Sequence, residues 1–176
     1  FINPERINKQ NVVIDHDNHP LTALFLSHLS IRGNADDNSS ISTLEHEVTN
    51  RFLSLTCGPN CNFVNKLLCD IDVKSRIVHS HTIQNLNSYN NGHTLIEVFC
   101  ETKNKYIVID IDKKVIFSNK SKNLLSLFEL CELIHKNEDF SLISIFDMPL
   151  VDWHCFKSAS SGFSYSFIEQ YLNYDL

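Results

Sequence analysis

The stretch from Cys57 to Arg76 constrains this chain more than any other. Gly58 releases the backbone, and Pro59 suits the first position of a helix, where its missing N–H costs nothing. Phe63, Val64, Leu67 and Leu68 then recur at helical spacing and can bury one face. The pattern predicts a short helix with Cys57 at its mouth, then a turn, then a strand over Val73–Ser80. A thiol at a helix N-terminus meets converging N–H groups and the positive end of the helix dipole, and both favour its thiolate. The stretch suits a nucleophile.

The rest of the chain sets the frame. Its 176 residues suit one domain with a single core. A formal charge of −6 and the lack of any Lys/Arg cluster argue against nucleic acid or an anionic membrane as partner. No apolar run reaches spanning length, and the start, Phe1 to Arg6, shows no signal-peptide pattern. Three of the six cysteines, Cys69, Cys100 and Cys131, lie in apolar segments, as free buried cysteines do. That usage differs from a disulfide scaffold and points to a reducing, cytoplasmic setting.

Taken in order, residues 1–20 are polar, with one β-like run at Val12–Ile14. His16 and His19 flank an Asp-Asn pair before Pro20, which reads as a polar loop ahead of a metal pair. Leu21–Ile31 reads as a short helix, and Gly33–Ser40 as a loop separating an N-terminal arm (1–40) from the main domain (41–176). Ser42 and Glu45 have capping-box spacing. Leu44, Val48, Phe52 and Leu55 then predict one amphipathic helix leading to Cys57. Beyond the Asn-rich loop Asn85–Gly92, a hairpin is expected from His93–Phe99 and Tyr106–Asp112, continued by Val115–Phe117. Leu124, Leu127, Phe128, Cys131 and Ile134 predict a helix, residues 139–148 are ambiguous, and Ser164–Leu172 reads as a last helix. The expected class is α+β, with helices packed on a central antiparallel sheet.

Three side chains are spaced for acyl transfer: Cys57, His93 and Asp110. A thiol nucleophile needs a base in hydrogen-bond reach, and that base needs a third group to fix its tautomer. Hairpin strands about 4.8 Å apart meet the second requirement. If Leu95 faces Asp110, then His93 faces Asp112, and both carboxylates share the face of His93. A zinc site from His79, His81, Cys57, Cys61 and Cys69 has no standard finger spacing. Neither metal nor cofactor is expected.

On these residues the chain resembles the transglutaminase-like superfamily, the papain-like thiol fold that includes the peptide N-glycanases and many bacterial relatives. Cys57-Gly58 opens the family's first motif, Cys61 takes its small position, and Leu67-Leu68 its leucine pair. Asp72 to Val78 closes it, with Arg76 at the family's arginine. The spacing from Cys to Arg fits without gaps only when Cys57, and not Cys61, is the nucleophile. His93 to Val98 matches the family's His-x-Trp-x-Glu-Val, and Tyr106 to Asp110 matches an aromatic followed four residues later by the acid. Leu55, Asn60, Asp72, Leu95, Tyr106, Ile111 and Asp112 depart from the usual residues.

The resemblance implies a metal-independent Cys57–His93–Asp110 triad that forms an acyl-enzyme thioester on a protein, peptide or other amide or ester substrate. Water would resolve it in an amidase or peptidase, an amine in a transglutaminase. Asn60 and Leu95 are candidates for the oxyanion hole and substrate wall. The altered wall positions also leave open a catalytically inactive binding or scaffold domain.

Overall fold

The structure, a computed structural model, describes residues 18–81 and 92–144. Helix α1 (His19–Ser27) is capped by the Asn18 side chain, which accepts from the Leu21 N–H, and has Pro20 in its first turn. Strand β1 (Ser30–Arg32) follows, then helix α2 (Ile41–Glu47), strand β2 (Leu53–Leu55) and helix α3 (Cys57–Cys69). Strands β3 (Ser75–His81), β4 (Gly92–Cys100), β5 (Lys105–Asp110) and β6 (Val115–Asn119) come next. Helix α4 (Leu127–His135) and strand β7 (Phe140–Ile143) complete the described residues.

Strands β3 to β7 form one antiparallel sheet in sequence order, while β1 and β2 pair in parallel as a small second sheet. The chain is α+β, with helices against a five-stranded antiparallel sheet. Strand alternation divides the core in two. Ile96, Val98, Ile107, Ile109 and Ile116 pack with Phe63, Val64, Leu67 and Leu68 of α3 and with Leu24 of α1. Leu95, Val108, Val115 and Phe117 pack with Leu125 and Leu130 on the α4 side. With both faces covered, Thr94 to Val98 are all buried. Among the described residues no helix is long and apolar enough to cross a membrane.

Three sequence expectations need correcting. The helix expected over Leu21–Ile31 ends at Ser27, and Ser30–Arg32 turns into β1. The single helix expected from Ser42 to Leu55 stops at Glu47, and Leu53–Leu55 becomes β2. Its cap is Ser40, whose Oγ accepts from the Thr43 N–H at 3.2 Å. The cause is tertiary: Ser30, Ile31 and Arg32 pair with Leu53, Ser54 and Leu55, giving the chain a non-local ladder in place of two more helical turns. Cys69 and Cys131, expected to be buried, are exposed at the ends or outer faces of their helices, whereas Cys100 is buried.

Residues 19–32 belong to the same core as the sheet, with Ala23 and Leu24 fully buried. The Gly33–Ser40 segment is tied down as well. A Cβ on Gly33 would meet Ser54 Oγ at 2.0 Å, so any side chain there would force the Ser54 hydroxyl to turn away. Asp36 accepts two Arg51 hydrogen bonds at 2.8 Å each and the Ser54 N–H at 2.7 Å. Those bonds, led by Arg51, lower the Asp36 pKa from 3.8 to about 2. A carboxyl whose folded pKa is depressed stabilises the fold above its ordinary value and loses that contribution as pH falls towards the folded one. Urea midpoints are therefore expected to drop between about pH 4 and about pH 2, and Asp36→Asn to flatten that part of the slope.

The expected β-run at Val12–Ile14, the helix at Ser164–Leu172, His16 and all of the Asn85–Gly92 loop except Gly92 lie outside the described residues.

Candidate active site

Helix α3 begins two residues earlier than Pro59 suggested, with Cys57 as its first residue and Thr56 as N-cap. Thr56 makes no side-chain cap bond. The third helical residue is Pro59, which has no N–H to offer such a cap. The Thr56 N–H and hydroxyl are instead both donated to Asp37, each at 2.8 Å. Asp37 thus holds the residue that precedes the thiol, from the loop that follows β1. At its other end α3 closes through a left-handed residue, Asp72 at φ 58, with the Val73 N–H donated to Leu68 O.

His93 lies near the start of β4 and Asp110 at the end of β5. The ladder pairs Ile96 with Ile109 and Glu97 with Val108. Carried one step further, the same register sets Leu95 against Asp110, which puts His93 and Asp110 on one face, while Asp112 falls in the turn after β5. The imidazole bonds the diagonal acid: His93 Nε2 is 2.8 Å from Asp110 Oδ2. Cys57 lies near the same imidazole and helps hold its charge. Since Asp110 occupies Nε2, Nδ1 is the ring nitrogen left for the thiol.

The electrostatics follow from this contact order. The Asp110 bond, opposed by partial burial and helped by Cys57, raises the His93 pKa from 6.5 to about 9. The imidazole therefore keeps its proton across the neutral range. Asp110 is itself held, since its Oδ1 accepts the Lys113 N–H at 2.9 Å. The site grades from a half-buried thiol, through an imidazole side chain 34% exposed, to an acid only 6% exposed.

The other sequence candidates separate by position. Cys61 is fully buried, its Sγ donates to Thr94 O at 3.4 Å, and burial pushes its thiol pKa up. Asn60 is buried as well, and its Oδ1 has no hydrogen-bond partner among the described residues. Leu95 packs in the core beside Val108 and Phe117, on the α4 side of the sheet. Arg76 pairs with the buried Glu97, Nη2 to Oε2 at 2.6 Å, and lies over the Tyr106 ring at 4.3 Å. The second oxygen of Glu97 accepts the Leu127 N–H at the start of α4. Both residues are tied into the sheet and α4. His79 Nδ1 is 3.2 Å from Thr94 Oγ1, a contact with no counterpart in the sequence reading.

Asp112 takes a different role from Asp110. Its Oδ2 is 3.7 Å from Arg32 Nε, its Oδ1 has no hydrogen-bond partner, and it lies in the field of Lys114. Spacing alone had left both acids open. Compared with protein-family models, with curated proteins and with solved structures, the chain matches none.

Proposed function

We propose that the chain is a thiol acyl-transfer enzyme of the transglutaminase-like type, working through Cys57, His93 and Asp110. What carries this reading is the bond from His93 Nε2 to the buried Asp110, with Cys57 near the same imidazole and the His93 pKa raised by both. The Cys57 thiolate adds to an amide or ester carbonyl carbon, and the carbonyl π electrons move to oxygen. As the tetrahedral adduct collapses, the His93 imidazolium gives its proton to the departing amine or alcohol and a thioester remains. Now neutral, His93 takes a proton from water or from an amine as it attacks the thioester, and Cys57 leaves as the thiolate. Asp110 holds the Nε2 proton throughout and stabilises the cation. Hydrolysis is the nominal outcome, since water needs no acceptor site.

Alkylation tests the nucleophile directly. On exposure alone Cys69 and Cys131 would react before the half-buried Cys57. Limiting iodoacetamide near pH 6, far below the ordinary thiol pKa of about 8.5, is expected to label Cys57 first. Peptide mapping by mass spectrometry reads the result. An activated ester such as p-nitrophenyl acetate should then leave an acetyl group on Cys57, and excess primary amine should show whether it can be taken up. Labelling led by Cys69 or Cys131, with no acyl adduct, would overturn the proposal in favour of a binding or scaffold domain.

A further inference from the structure

Directly after Asp110 the chain makes a four-residue turn, Ile111 to Lys114, before β6. Lys114 ends it with a left-handed backbone, φ 59, which an unbranched side chain adopts only when its surroundings hold it there. Its side chain points inward and the residue is 6% exposed. The Nζ donates to Ser27 O at 2.5 Å and to Ser30 O at 2.7 Å, the last residue of α1 and the first of β1. A buried ammonium is costly unless it is hydrogen-bonded and faces opposite charge. Asp110 and Asp112 supply that charge, and Arg32 meets Asp112 from the solvent side. The buried His28 faces Lys114 from the end of α1, and the Lys114 charge opposes its protonation.

We propose that Lys114 is a positioning residue for the triad: its amino group, donating to the carbonyls of Ser27 and Ser30, anchors the turn that begins at Asp110 and so sets the Asp110–His93 contact. The anchor acts at one remove. Asp110 Oδ1 is fixed by the Lys113 N–H, and Lys113 is fixed by the neighbour whose side chain is bolted to the α1–β1 junction. This inference rests on the acyl-transfer reading for its effect on rate, but not for its effect on His93.

The test compares Lys114→Met, which removes charge and donors, with Lys114→Gln, which keeps two N–H donors without the charge. The first readout is the NMR titration of the His93 ring, assigned by its loss in His93→Ala, and it needs no turnover. In the wild type its midpoint is expected near 9. In Lys114→Met it should fall by about one unit or more towards the ordinary 6.5, because a loosened Asp110 holds the cation less well. Lys114→Gln should fall less. The second readout is p-nitrophenyl acetate turnover, where a misplaced acid should lower kcat about ten- to a hundredfold with KM within about twofold. If both variants melt lower but leave the His93 midpoint at its wild-type value, Lys114 is only a stability residue and the proposal fails. If Lys114→Met does not fold, the Lys114→Gln titration decides alone: a midpoint shifted downward supports the anchor, an unmoved one overturns it. A shifted midpoint in a protein without turnover would keep the anchor and sink only the acyl-transfer reading.

Discussion

Asp110→Asn is expected to lower acyl transfer by about 10³–10⁴-fold, the scale on which neutralising the acid of such a triad acts. Both oxygens of Asp110 are acceptors here, one for His93 Nε2 and one for the Lys113 N–H. An asparagine has only one acceptor oxygen. Keeping the backbone bond to Lys113 turns the amide NH2 towards Nε2, which forces the ring proton onto Nδ1, the nitrogen that must take up the thiol proton. The carboxylate that supports the cation is lost at the same time, so the His93 titration should fall from about 9 towards 6.5. Asp112→Asn is the control. It does not touch the ring, so turnover should stay within about threefold, but it withdraws a charge that offsets the buried Lys114. A stability loss of about 1–3 kcal/mol in urea is expected there. If Asp112→Asn proves the more damaging to turnover, the hairpin carries its acid at the wrong position for this mechanism.

His93→Ala should be as severe for turnover and should also change the thiol. The wild-type imidazole stays cationic through the neutral range and lies near Cys57, and a cation beside a thiol is expected to speed its alkylation. Removing it should slow iodoacetamide alkylation of Cys57 at about pH 6 by tenfold or more, about 1.4 kcal/mol per factor of ten. The gap should close at alkaline pH, where the wild-type imidazole has lost its charge. Fold stability should follow the same window. A histidine with a raised folded pKa contributes fully below 6.5, and that contribution is lost as pH rises through about 9. The stability difference between wild type and His93→Ala should therefore shrink across that range. Equal alkylation of the two proteins at about pH 6 would mean that the pair does not activate the thiol.

Sequence alone was enough to place α3, the β4–β5 hairpin and its extension into β6, because each has a local signature. Phe63 to Leu68 repeats with helical spacing, and the polar Glu101–Lys105 segment separates two β-rich runs, closing through Asn104 at φ 49. The ladder's register, with Ile96 against Ile109, was also within reach of the sequence as a condition, since hairpin pairing follows from the length of the turn. Hairpin spacing by itself did not separate Asp110 from Asp112; it was the Tyr106–Asp110 spacing of the family resemblance that favoured Asp110. In the structure Asp110 is the acid bonded to His93, and the turn that follows it reaches Ser27 and Ser30, more than eighty residues earlier, through Lys114. Sequence could not show β1 and β2, three residues each, whose pairing joins positions more than twenty apart and overrides local helical spacing. The inward turn of Asn60 and Leu95 is equally a tertiary result. Each lies beside the motif in sequence, but α3 and the sheet bury both. Local periodicity records which face an element hides; only packing decides what that face meets.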